Sequence, residues 1–275
     1  KLAEEKNWNY NIIEAFDQPW KRVSEGAVGG FWGLFDKDRL DKNVFTGDVS
    51  NFPNYKYLGF GSLLLIFGFS FLLKNSNIST KRVVLFSFIN TIFAVLYMLQ
   101  MEQFNITVRS SGEVVWATLV LLTHLAIYYF VLLNIVKESK PKIVGIREIL
   151  TNKIFNVDTL PMILFYSSFI FVLISTIILA FEGRYRNFEI YVFAISAISF
   201  ILLYGGRFAN MEFKAFEKLS FIVLLITSII SFYNEGSLNI FSNIWIIIAL
   251  IFTYILYQGS KNSSLNELKN IAKYI

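Results

Sequence analysis

Cysteine is absent from the 275 residues and histidine occurs once. Without thiols the chain forms no disulfide, thiolate metal site, iron–sulfur cluster or cysteine nucleophile. One imidazole rules out a bis-histidine haem or a histidine-rich metal site built by this chain alone. Charge is scarce too. Asp, Glu, Lys and Arg make up 16% of the residues, against about 25% in an ordinary soluble domain. No phosphate-cradling glycine loop, paired carboxylate or zinc-binding helix motif occurs.

What fills the chain is apolar. Hydrophobic residues reach 55% and the mean hydropathy is +0.53. A soluble domain of this size needs more polar surface than that, so the excess side chains must face lipid. Phe, Ile, Asn and Lys are all abundant. That combination follows AT-rich coding, and the aromatic count is therefore no evidence for ligand stacking. The net charge of +5 would suggest nucleic acid in a soluble protein, but here its distribution points to a membrane instead.

Seven apolar runs bounded by charges lie at 57–73, 83–101, 114–136, 159–181, 188–206, 219–233 and 239–257. A bilayer core of about 30 Å takes roughly 20 helical residues to cross. The runs are continuous rather than alternating, which excludes barrel strands. The fold class expected is all-α: a polytopic transmembrane helix bundle of about seven spans with a short N-terminal extramembrane segment. Residues 1–56 form that segment, 57–257 the bundle and 258–275 a tail. The run 219–233 is short and is expected either to extend into the polar residues before it or to sit tilted.

Fourteen Lys and Arg residues occupy the loops after the first, third and fifth runs and the tail, among them Arg82, Lys142, Arg147 and Arg207. The loops on the other side hold only Arg109, Arg184 and Arg186. The positive-inside bias predicts a cytoplasmic or matrix-side C-terminus and an N-terminus outside, in a plasma or inner membrane or an organellar inner membrane. Moving residues 1–55 across then calls for a cleaved signal peptide or an eighth, earlier span upstream of Lys1.

Two stretches outside the runs carry helical periodicity. In 1–56, Ile12, Ile13, Phe16, Trp20 and Val23 predict an amphipathic helix started or interrupted near Pro19. Trp8, Trp20 and Trp32 suit an extramembrane cap packed on the bundle, with a ligand-binding ectodomain as the alternative. In the 137–158 loop, Ile143, Ile146, Leu150 and Ile154 line one face of a helix whose other sides carry Lys142, Arg147 and Lys153. That face predicts a membrane-surface helix or a docking interface.

The polar residues inside the runs are few. His124 sits near the middle of the third run, where an ionisable group is a functional candidate by default. Its two readings are a proton relay or ligand, and a neutral imidazole bonded to Asn90 or a serine hydroxyl on a neighbouring helix. Asn90, Asn134 and Asn243 read as cross-helix packing bonds. Glu102, with Gln100 and Gln103, closes the second run as a cation-binding group or a solvated helix end. Glu182, Arg184, Arg186 and Glu189 read as a wet charged turn. Gly59, Gly61 and Gly68 permit close helix approach.

The candidate intramembrane polar site is therefore His124, Asn90 and Glu102. No catalytic group, metal or cofactor is expected. The partners expected are the bilayer, other membrane subunits and bound lipid, and no nucleic acid. The function these residues suggest first is a non-catalytic structural or accessory subunit of a membrane complex. The alternatives are a transporter or channel for a lipophilic or small solute, and a seven-span receptor or sensor. The last run has no lysine, which excludes a retinal Schiff base there. An enzyme comes last.

Overall fold

The computed structural model describes residues 2–9, 11, 13–46, 52–74, 76–138, 141–152, 157–182, 187–204, 207 and 215–271, excepting the side chains of 27, 152 and 259–271. The chain is an all-α bundle. It is 76% helical, with no strand among these residues.

In chain order the helices are α1 (Leu2–Glu5), α2 (Arg22–Gly29), α3 (Tyr55–Ser70), α4 (Thr80–Thr107), α5 (Ser111–Lys137), α6 (Ile146–Asn152), α7 (Leu160–Glu182), α8 (Ile190–Tyr204), α9 (Ala215–Glu235) and α10 (Ile240–Ile271). A 3-10 turn, Pro19–Lys21, leads into α2, and another, Phe71–Leu73, extends α3. Six helices are long and apolar enough to cross a membrane, and α8 is a shorter apolar seventh. The sixth run extends at both ends into α9 and takes in Glu217. Asn134 and Asn243 fall within α5 and α10.

At about 1.5 Å per residue, the 15 residues of α8 reach roughly 22 Å, less than the hydrocarbon core. Its setting explains how so short a helix is tolerated. Ten of its residues, spread from Ile190 to Tyr204, are buried, leaving an exposed stripe at Ile198, Ile201 and Leu202, and it packs against α4, α5, α7 and α10. A helix apolar all round belongs in a core, and neighbouring helices cover most of its length. The α9–α10 hairpin packs on α7 and α8. Gly236, at φ +74°, closes α9 in the left-handed region, with its N–H on the Phe232 carbonyl at 3.0 Å.

Capping chemistry starts α5. Ser110 accepts the Glu113 N–H, and the Glu113 carboxylate accepts the Arg109 N–H at 2.7 Å, a near relative of the capping box. At the far end Glu138 adopts φ +54° and donates its N–H to Asn134.

In the N-terminal segment the helical stretch starts at Pro19, as expected, and leaves the earlier residues of the periodic set outside it. Ile12 lies outside the described residues, and Ile13 and Phe16 precede the helix, which begins at Pro19. Residues 14–17 are taken by another partner: Leu34 N bonds the Glu14 carbonyl and Phe35 N the Ala15 carbonyl, both at 3.0 Å. Asp17 Oδ1 accepts Gly33 N at 2.9 Å and Lys42 Nζ at 2.8 Å, and Lys21 pairs with Glu14. A side chain on Gly33 would run into the Asp17 and Phe16 backbone, so the crossing needs glycine there.

Two arginines fasten this cap to the bundle. Arg22 Nη2 donates to the Ile106 and Val108 carbonyls at the end of α4, both at 2.8 Å. Arg109 Nη1 returns a bond to the Arg22 carbonyl at 3.1 Å. The last carbonyls of a helix lack intrahelical donors, and a cation suits the negative end of the dipole. Arg22→Gln should weaken the docking by about 1–3 kcal/mol. Limited proteolysis of the membrane-embedded protein should then cut residues 13–46 faster with the bundle intact. Unchanged cleavage would mean that the arginine bonds do not hold the cap.

Candidate functional site

His124 lies in the middle of α5 and is fully buried. Its Nδ1 is 2.6 Å from the Val120 carbonyl one turn back. A carbonyl only accepts, so Nδ1 carries the hydrogen and Nε2 is left as a bare acceptor. Among the described residues Nε2 has no hydrogen-bond partner. The ring meets Phe193 edge-on, centroids 4.6 Å apart, and Phe193 meets Trp245 the same way at 5.2 Å. Trp245 Nε1 donates to Thr176 Oγ1 at 3.2 Å. His124 is thus a neighbour of aromatic rings, and neither Asn90 nor a serine bonds it.

Asn90 works one helix away. Its Nδ2 donates to the Ile66 carbonyl of α3 at 3.0 Å. Its Oδ1 accepts from the Tyr128 hydroxyl of α5, which also reaches the Asn90 carbonyl at 2.8 Å. One amide therefore ties α3, α4 and α5 together. Glu102 sits at the end of the bundle that carries the cap, where Oε1 accepts from Asn54 Nδ2 at 2.6 Å and anchors the start of α3. The three residues do not converge on one site.

Two polar clusters do form, one at each end. At the cap end a cavity of about 200 Å³ opens between α4, α5, α7 and the residues before α8. Glu189 lines it, accepting from Trp116 Nε1 at 2.8 Å and Ser175 Oγ at 3.3 Å. The Arg109–Glu113 ion pair, at 2.8 Å, and Gln103 complete the polar wall, while Ile178 and Leu179 supply the apolar one. A carboxylate, an indole and an ion pair around so small a space suit a small polar solute. Glu189 had read as part of a wet turn. The structure instead ties it to α5 and α7, contacts that no spacing along the chain reveals. Glu182 is exposed, and Arg184 and Arg186 lie outside the described residues.

At the opposite end Glu217 is 1% exposed. Its Oε1 accepts from the Tyr166 hydroxyl at 3.0 Å and from Ile146 N at 3.3 Å, binding α9 to α7 and to the start of α6. A buried carboxylate needs such donors. Sequence reading missed it. The signal was there: Glu217, Ser220, Leu224, Thr227 and Ser231 recur three and four residues apart, and all are buried. Small and polar residues at that spacing mark a helix–helix seam.

The proposed surface helix is α6. Ile143 and Ile146 are half-buried, Leu150 is exposed, and Ile154 lies outside the described residues. The residues that anchor this loop on the bundle are Val144 and Ile149, both buried, so Leu150 points away from the packed face.

These contacts separate two residue types. Asn90→Leu should lower the thermal midpoint, with a cost of about 1–2 kcal/mol for the lost cross-helix bonds. His124→Leu removes an acceptor without a donor, and the midpoint should hold or rise. A drop for His124→Leu as large as for Asn90→Leu would assign Nε2 a partner.

Comparison with protein-family models, with curated proteins and with solved structures finds no match for this chain.

Proposed function

We propose that this multi-pass membrane protein is a non-catalytic accessory subunit of a larger membrane assembly, with α3 as the helix it offers to a partner. The supporting observation is the uneven burial of the spans. Only 6% of the apolar stretch of α3 is buried, against 33–50% in the five other long helices. Its inner side is committed: Ser62 is buried, Gly61 lies against Met98 and Ile66 receives Asn90. Phe60, Leu63, Leu64, Phe67 and Phe71 lie on the other side, each more than half exposed. Gly59 and Gly68 flank that face with open space around them, and small residues let a second backbone come close. On this reading the lysine- and arginine-rich end faces the cytoplasm or matrix.

A photo-crosslinking residue placed at Leu64 in native membranes should yield one discrete adduct with another membrane polypeptide, lost in Gly68→Trp. Lipid adducts alone, with the chain purifying as a lone species, would reject this role.

A second reading, a carrier for a small polar solute, draws on the cavity around Glu189. Against it, the His124, Phe193 and Trp245 rings pack in contact across the bundle core. Solute flux in proteoliposomes that is abolished by Glu189→Gln would favour the carrier.

A further inference from the structure

We infer that the cavity at the lysine- and arginine-rich end, between α4, α5 and α8, binds the phosphate head group of an anionic phospholipid. This holds whichever partner α3 meets. The cavity encloses about 370 Å³, and its polar lining is Arg82, Asn134, Glu138, Tyr204 and Arg207. Arg207 spends one Nη2 bond on the Pro141 carbonyl at 2.7 Å and lies over the Tyr204 ring at 5.9 Å. Its Nη1 is buried and, among the described residues, has no partner. A guanidinium presents a planar fork of donors that matches two phosphate oxygens.

The second cation in the cavity is exchangeable. Arg82 pairs with Glu138 at 2.5 Å, but the two side chains are 34% and 63% exposed, and a pair so open to solvent holds weakly. Arg82 can leave the carboxylate for a phosphate, while Glu138 opposes any anion that enters. The rest of the lining favours a lipid over a free ion. Val131 and Leu203 are buried, and Leu85 and Leu202 are 39% and 41% exposed, an apolar margin along which acyl chains can lie without leaving a hydrocarbon environment while the head group sits among the polar residues. Basic pockets between helix ends on the positively charged side of a membrane protein suit anionic head groups.

The purified full chain, titrated in detergent with dioleoylphosphatidylglycerol or dioleoylphosphatidylcholine and followed by native mass spectrometry, tests this. The glycerol lipid should bind about tenfold more tightly than the choline lipid, and Arg207→Gln should erase about that preference. Glu138→Gln removes the opposing carboxylate and should tighten binding about threefold, which keeps the test open if Arg207→Gln fails to fold. Arg147→Gln, on the exposed side of α6, should leave binding unchanged. Equal affinity for the two lipids, no response to either cavity variant, or displacement of the lipid by millimolar inorganic phosphate would each overturn the assignment.

Discussion

Hydrocarbon offers the backbone nothing to bond with, and every other feature of this molecule answers to that constraint. Long apolar helices satisfy their own amides, so six of the seven apolar helices need only length. The seventh, α8, lacks length and is given surroundings instead: it sits among α4, α5, α7 and α10. The same constraint governs the side chains. Asn90, Glu189 and Glu217 are bonded across helix boundaries, because a polar group at depth without a partner costs about 1–3 kcal/mol. These bonds set which helices are neighbours, whereas apolar contact alone is no stronger between helices than with lipid.

The buried carboxylates and ion pairs described above lie toward the ends, while Asn90 and His124 are the polar side chains met deeper in α4 and α5. Near the cap, an arginine pair joins the N-terminal segment to the last turn of α4, beside the cavity that holds Glu189. At the other end Glu217, Tyr166 and the start of α6 lock the loops to the bundle. Between them lies an aromatic core in which Phe165, Phe200 and Phe252 pack within 6.2 Å of one another. This arrangement leaves a polar cluster toward each end of an apolar, aromatic interior.

The spans were legible in the sequence because each is a run of one chemical character, and their ends fell near the charges that bound them. Partners were not legible. Asn90 and His124 look alike as lone polar residues in apolar runs, yet one bridges three helices and the other bonds the Val120 carbonyl of its own helix. The difference lies in helix rotation, which a linear pattern does not carry. Glu189 read as solvated because charges stand near it in sequence, and Glu217 drew no notice beside Lys218, whereas their neighbours in space are Trp116 and Tyr166. In the N-terminal segment the start near Pro19 was legible, whereas the backbone pairing of residues 14–17 with residues 32–35 was not.

The central claim is that all seven apolar helices cross, the short α8 included. Because the chain has no native cysteine, single cysteines report sidedness cleanly. Asp38→Cys, Lys142→Cys, Asn187→Cys and Leu238→Cys, probed in sealed vesicles with a membrane-impermeant maleimide, test it directly. Seven crossings put positions 38, 187 and 238 on one face and 142 on the other. Labelling of 238 together with 142 would remove α8 from the membrane and contradict the account.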